Sequence, residues 1–448
     1  MRTRRGIPSR RCTLRTERSR PVRAIGHVIL QIWSLLLLVY PLPSSAESGT
    51  SVTLPKAVET ALRDHPRLAG YPMDFQATEG RTLQASLRPN PELSVDVENL
   101  WGDYPGTSRS ETTYGISQLV ELGKRSSRIR KAEADTDVLR RDFEIARFDV
   151  VADVKRAFVN FLSAGKKLEL NREAHKIATQ LATAVSDRVA AGAVSPIEEA
   201  RANVALAVSS ADLERNVREV ETARRELAAA MGEAKPSFDF ASGDLDEDLS
   251  VPAVDNIAER IAATPDVTRW GAELVRRNAA LNSERTLAVP DVTLKGGIKR
   301  FRESSENTFA LGFSVPLPLF NRNQGAIREA EAQRARVDVE RKATEVLLHS
   351  QVGQRLAALT AAAREASILR KEAVPGAQSA YDAVSEGYRF GKFRYLDVLD
   401  TGKSLIETRL RYLDALTALN LARVDLERLM TISPIGNVNT TAIQGASR

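Results

Sequence analysis

Apolar and polar residues alternate at period two in four short stretches of the chain, and most of what surrounds them is patterned for helix. Leu93, Val95 and Val97 alternate with Ser94, Asp96 and Glu98. Phe309, Leu311, Phe313 and Val315 alternate with Thr308, Ala310, Gly312 and Ser314. Such alternation places one set of side chains on each face of a strand. The predicted strands cover roughly 92–100, 111–120, 291–300 and 307–317, as two hairpins with polar connections at Gly102–Ser110 and Phe301–Asn307. Each is about 9–11 residues long, the length a tilted strand needs to cross a bilayer. A half-buried strand of a water-soluble sandwich would show the same alternation. Four strands cannot close a membrane barrel, which takes about eight. An open edge cannot sit in lipid, because its unpaired N–H and C=O groups have no water to turn to. If these strands span a membrane, several chains must contribute to one barrel.

The helical stretches are very long. Lys124 to Ala191 contains no proline and one glycine, Gly165. At ~1.5 Å per residue this run would reach ~100 Å. Gly192 ends it, and Ser195-Pro-Ile-Glu198 starts the next helix with the parts of a capping box, running to Met231 before Gly232. The later part repeats this from Asn321 to Phe390 and from Arg394 to Met430, with Pro375-Gly376 predicting a kink or short break. In the last helix Leu405, Tyr412, Leu419 and Leu426 form one line at sevenfold spacing, and Leu399, Ile406 and Leu413 a second. One line serves a two-stranded coiled coil. Two let a helix pack on neighbours at both sides, as in a cylinder of helices. A bundle helix with a wide apolar face is the plainer alternative.

The second half of the chain repeats the first. Ala57–Pro66 corresponds to Asn256–Pro265, Tyr114-Gly-Ile-Ser117 to Leu311-Gly-Phe-Ser314, Ile129–Ala134 to Ile327–Ala332, and Gly192 to Gly391. Several ordered matches at a nearly constant offset indicate duplication. The predicted layout is a first repeat over 47–249 and a second over 250–432. Each has a short helix (about 54–88 and 254–288), a hairpin and two long helices. A flexible tail covers 433–448.

Composition removes several function classes. Residues 1–46 hold nine arginines, an apolar run from Val28 to Tyr40 and a small-x-small exit at Ser44 and Ala46, the layout of a cleaved secretory signal. The full chain has 64 basic and 58 acidic residues; without the leader 55 and 57 remain, a net charge of −2. The basic balance therefore belongs to the leader and gives no support to a nucleic-acid partner. The only cysteine, Cys12, lies in that leader, so the exported part has no disulfide and no thiolate. His65, His175 and His349 are far apart, and a lone histidine on a polar helix is expected to be solvated. No HExxH, phosphate loop or G-x-S-x-G elbow occurs. No catalytic residue, cofactor or resident metal site is predicted.

The duplicated layout, the Asp-His-Pro66 opening and Leu311-Gly-Phe-Ser-Val-Pro-Leu-Pro-Leu-Phe320 resemble the TolC family of outer-membrane efflux proteins over nearly all of residues 50–432. The segments Glu121-Leu-Gly-Lys-Arg125 and Pro316-Leu-Pro-Leu-Phe-Asn-Arg-Asn-Gln-Gly325 are similar to the barrel-to-helix junctions of its CzcC-like heavy-metal branch. The junction motif is carried by Pro316, Pro318, Asn321, Arg322, Asn323 and Gly325. The resemblance implies a mixed α/β membrane protein acting as a homotrimer. Its twelve strands would form one barrel in outer-membrane lipid, and its long helices a coiled-coil tunnel across the periplasm. The implied partners are a periplasmic adaptor and an inner-membrane pump of the proton-driven RND type.

The resemblance also points to a gate at the tunnel tip. Asp397 and Asp400 match two aspartates that line the family's closed end. At i and i+3 they share a helical face, and threefold symmetry would make two carboxylate rings that favour cations. Two solvated aspartates near a helix N-terminus would read the same in sequence. Tyr388 and Glu198 match the family's latch, although Glu198 also fits the capping box. The family's latch arginine falls on Phe393, with Arg394 one residue later. The functional expectation is a passive outer-membrane export duct for divalent heavy-metal cations. A channel for drugs, organic solutes or secreted proteins, and a periplasmic coiled-coil scaffold without a pore, are the alternatives.

Overall fold

The computed structural model describes residues 50–100, 108–246, 249–251 and 256–430. The expected leader, the C-terminal tail and most of the first hairpin connection lie outside these residues. Strand β1 (Ser51–Thr53) leads into α1 (Leu54–Asp64), α2 (Pro66–Ala69) and α3 (Tyr71–Ser86). The hairpin β2 (Glu92–Glu98) and β3 (Glu111–Val120) follows, then α4 (Lys124–Ala190) and α5 (Pro196–Met231). After β4 (Phe240–Ser242) the plan recurs as α6 (Ile257–Ala262), α7 (Pro265–Leu287), β5 (Val292–Phe301), β6 (Asn307–Ser314), α8 (Gln324–Ile368), α9 (Val374–Arg389) and α10 (Tyr395–Met430).

The expected first helix of each half is broken by its own caps. Pro66 and Pro265 each open a new helix, and the His65 ring accepts the Arg67 amide at 3.1 Å to cap α2. His65 is therefore a helix cap, and His175 Nδ1 lies 3.2 Å from Ser209 Oγ across the α4–α5 seam; of the three, only His349 is the exposed histidine that the sequence suggests. Of the kink or short break expected at Pro375-Gly376, the break does not occur. A π-helical turn, Leu369–Ala373, joins α8 to α9 without a gap. Proline at 375 donates no N–H and crowds the carbonyl four residues earlier, and the wider π turn takes up that mismatch.

The long helices pack side by side. Helix α4 lies against α5 on one flank and α10 on another, and α10 lies in turn against α8 and α9. The two sevenfold lines of α10 do not take one neighbour each, since Tyr412 of the first packs with Leu413 of the second; the division runs along the helix instead. Leu413 and Leu416 join a cluster with Val154, Phe158 and Leu162 of α4, whereas Leu419 and Leu426 join Val352 and Leu359 of α8. A third cluster at the far end gathers Leu181 and Val185 of α4, Ala202 of α5, and Tyr395 and Val398 of α10.

The four expected strands form one antiparallel sheet in the order β2-β3-β5-β6, with β3 and β5 of 10 residues and the edges β2 and β6 shorter than expected at 7 and 8. Its centre pairs β3 with β5, joining the two halves, and leaves β2 and β6 as edges. Register puts Leu93, Ile116, Gly296 and Leu311 in one row and Val95, Tyr114, Ile298 and Phe309 in the next, all on one face. That face is exposed: Leu93 is 81% and Leu311 91% accessible. The opposite face carries Ser94, Gly115, Gly297 and Ala310, then Asp96, Thr113, Lys299 and Thr308. Here Lys299 Nζ bonds Glu98 at 2.8 Å and also reaches Glu111. Space on this face is tight, since a Cβ on Gly297 would lie 2.6 Å from the Tyr114 carbonyl.

Both hairpins hand over to their long helix in the same way. Gly123 (φ 85°) and Asn323 (φ 58°) hold the left-handed conformation just before α4 and α8. Glycine and asparagine are the residues that tolerate it. Asn323 is secured by bonds to the Glu284 carbonyl (2.9 Å) and carboxylate (2.8 Å), and its amide meets Asn321 Oδ1 at 3.0 Å. In the first half, Lys124 pairs with Asp291 at 2.7 Å in a largely buried position.

Candidate functional site at the helix tips

The ends of α4 and α9 are built alike. Gly192 and Gly391 adopt φ of 70° and 72°. Their amides and those of the next residues close the helices: Gly192 onto Val189, Ala193 onto Arg188, Gly391 onto Tyr388 and Lys392 onto Gly387, all at 2.8–3.0 Å. This cap needs a left-handed residue, which glycine supplies without strain. Two helical hairpins, α4–α5 and α9–α10, thus end in matching turns.

At the start of α10 the Asp397 carboxylate accepts the Arg394 amide at 2.9 Å, and the Arg394 guanidinium lies 3.8 Å from the same oxygen. Asp397 therefore caps its own helix, and Arg394 is turned toward it. Asp400, one turn on, is exposed. It borders a groove of about 990 Å³ between α5 and α10 that is floored by α4, with Ile197, Val204, Leu396 and Lys403 among its walls.

Tyr388 carries a cation on its ring. The Arg188 guanidinium, from the last turn of α4, sits 4.5 Å from the ring centroid. Phe393 lies against Gly387, where a Cβ would come within 2.4 Å of its ring. Tyr395 is buried at the base of the same cluster. Burial pushes its hydroxyl above the ordinary tyrosine pKa, and Tyr388 and Glu198 act in the same direction. Glu198 occupies the first turn of α5, where Ser195 Oγ accepts the Ile197 amide at 3.3 Å. Among the described residues no hydrogen bond joins Glu198 to Tyr388.

The structure thus brings Glu198, Tyr388, Arg394, Asp397 and Asp400 to one end of the helices. The junction residues Pro316, Pro318, Asn321, Arg322, Asn323 and Gly325 lie at the foot of the sheet, at the other end of the α8–α9 run. Arg188 and Tyr395 were not among the residues singled out by sequence. The sequence carries no signal for Arg188, which meets a residue 200 positions away. Tyr395 extends the apolar stripe of α10 by Val398 and Leu405, and that stripe was its available clue. Among the described residues no group of three His, Asp or Glu side chains is arranged to hold a metal ion.

Comparison with known proteins places these features in a family. The outer membrane efflux protein model matches twice, over residues 57–233 and 257–431. The chain belongs to the outer membrane efflux protein family. Its two matches follow the duplication. The chain is 33% identical to the cobalt-zinc-cadmium resistance protein CzcC of Cupriavidus metallidurans over 388 residues, covering 86% of this chain and 91% of that protein. It is 26% identical to the nickel and cobalt resistance protein CnrC of the same organism, covering 72% and 77%. In fold it matches the crystal structure of CusC, described in connection with transmembrane channel formation, with a TM-score of 0.71 at 18% identity over 85% of this chain and 92% of that one. The efflux protein therefore has a TolC-like fold and resides in the outer membrane.

Proposed function

We propose that this efflux protein is the passive outer-membrane duct of a tripartite export system for divalent heavy-metal cations, working as a homotrimer with a periplasmic adaptor and an inner-membrane RND-type pump. The observation that carries the duct is the sheet. It has one apolar and one polar face, and two edges that no strand among the described residues pairs. Each unpaired edge group would cost several kcal/mol in hydrocarbon, so β2 of one copy must meet β6 of another. Three copies make twelve strands, an even number within the range of membrane barrels. The polar faces then line a water-filled lumen, and neighbouring long helices continue it below.

The metal cargo rests on the similarity to two proteins named for cobalt, zinc, cadmium and nickel resistance. Among the described residues of one copy no three His, Asp or Glu side chains are grouped to hold a metal ion, and selection is assigned to the pump. At the tip, Asp400 of three copies would form a carboxylate ring that attracts passing cations. Asp397 would add charge behind it while capping α10. Tyr388, with Arg188 on its face and Glu198 nearby, would hold the hairpins together in the closed state.

Two measurements test this reading. The mature protein extracted without boiling should migrate as a trimer from the outer-membrane fraction; a monomer would end the duct. Deleting the gene should sensitise cells to zinc, cobalt, cadmium or nickel salts. Full tolerance of these metals combined with new sensitivity to organic compounds would reassign the cargo.

A further inference from the structure

The two repeats share a corner opened by proline but cap it with different chemistry. In the second repeat the residue before Pro265 is Thr264, buried, with its hydroxyl donating to the Ile261 carbonyl at 2.7 Å. In the first it is His65, half-buried, with extended backbone (φ −65°, ψ 124°) and its Nδ1 accepting the Arg67 amide at 3.1 Å. A threonine hydroxyl does not titrate; an imidazole does. Nδ1 accepts a hydrogen bond only while it carries no proton, so this cap requires the neutral ring with its proton on Nε2. Protonation turns both ring nitrogens into donors, and the Arg67 amide then faces another N–H.

More than α2 depends on this corner. Helix α5 ends on Gly232 (φ 88°), and a Cβ there would lie 2.8 Å from His65 Cα and 2.9 Å from Pro66 Cδ. The end of α5 thus abuts the cap at a separation that only glycine allows. Arg67, whose amide the ring receives, reaches Asp149 of α4 at 3.3 Å, and Asp149 in turn holds Arg428 of α10 at 2.7 Å. The charged groups that face the ring are Arg67 from α2 and Asp153 from α4, the latter also paired with Arg156. On α1, Asp64 is engaged by Arg63 at 2.7 Å, and beyond α5 the Glu233 carboxylate accepts Ser237 Oγ at 3.2 Å. Burial lowers the His65 pKa, Arg67 lowers it further, and Asp153 opposes them. The folded value therefore lies below the unfolded one of about 6.5. The cap contributes fully above that unfolded value and is lost as pH falls from there through the folded one.

We infer that His65 is a proton-operated latch, which when neutral caps α2 and seats the end of α5, and when protonated releases both. Acid then loosens the α4–α5 hairpin from the short helices of its own repeat, while the Thr264 corner of the other repeat stays shut. The hairpin released is the one that carries Arg188 and Glu198 toward its tip. The latch depends on neither the cargo nor the proposed gate.

Hydrogen exchange read by mass spectrometry tests the latch on the mature full-length protein. Peptides covering 64–72 and 228–236 are followed at about pH 7.5 and about pH 5, on either side of the ordinary histidine value, with rates corrected for the intrinsic effect of pH. Loss of a helix cap changes local opening by about fivefold, so the unmodified protein should lose about that much protection in both peptides at the lower pH. His65→Asn, whose carboxamide oxygen caps without titrating, should keep its protection at both values. His65→Ala should be poorly protected at both. The peptide around Thr264 should not change. Unchanged protection in the unmodified protein, an equal acid loss in His65→Asn, or a loss shared by the Thr264 peptide overturns the latch. If His65→Ala fails to fold, the comparison with His65→Asn decides alone.

Discussion

Removing the Arg188 guanidinium gives the most direct access to the tip. The cation lies 4.5 Å from the Tyr388 ring centroid and bridges the last turns of α4 and α9, both half-buried. Such a contact contributes about 0.5–1 kcal/mol at a partly solvated site. Each copy of a trimer has one, and if opening the proposed gate parts all three together, the closed state gains ~1.5–3 kcal/mol from the set. At 1.4 kcal/mol per factor of ten, Arg188→Ala should shift the open-to-closed ratio roughly ten- to hundredfold. Single-channel recording in planar bilayers reads this as a rise in open probability at unchanged unit conductance. Arg188→Lys, which keeps the charge but not the planar stacking, should fall between. Tyr388→Leu should match Arg188→Ala, and the double variant should add nothing further, as expected of two groups that act through one contact. An open probability equal to that of the unmodified channel, or effects that simply add, would refute the clasp.

Other perturbations reach the remaining parts. Gly387→Ala places a methyl 2.4 Å from the Phe393 ring; overpacking of this kind costs about 1–3 kcal/mol, and limited proteolysis at the tip should speed up, with Phe393→Ala restoring the original rate. Asp400→Ala should weaken block of the pore by a trivalent cation by about tenfold, since three exposed charges are lost at once; unchanged block removes Asp400 from the constriction. On the sheet, Leu311→Arg should cost ~2–4 kcal/mol per subunit and lower the yield of heat-resistant trimer, whereas Ala310→Arg, on the polar face, should leave the trimer and change conductance. Glu273 is buried, and although burial alone would raise its carboxyl, Arg276 and Arg277 outweigh it and hold the pKa below the usual range. Its contribution to stability is therefore complete above the unfolded carboxylate value of about 4.3 and is lost as pH falls through the lower folded value. The gap in dissociation temperature between the unmodified trimer and Glu273→Gln should narrow from pH 6 toward pH 3; a constant gap would dissociate Glu273 from acid lability.

The sequence alone determined the parts that depend on local physics. Period-two alternation marked the strands to within a few residues, because one face of each must be apolar whatever it meets. Absence of proline and the glycines at 192 and 391 set the ends of the long helices, since a left-handed cap has few substitutes. The repeat was legible because both halves reuse the same punctuation. What needed the tertiary structure was every relation between distant residues. Only the register showed that the alternations of all four strands coincide on one face and that β3 and β5 join the hairpins, leaving two edges unpaired among the described residues. The proline at 375 predicts a kink or a short break from local physics alone, and only the structure shows that the helix widens by a π turn and continues. Asp397 was legible as a charge, but its cap to Arg394 depends on how the turn closes. Arg188 and Tyr388 meet because two hairpins end at the same level, and no spacing along a chain encodes that.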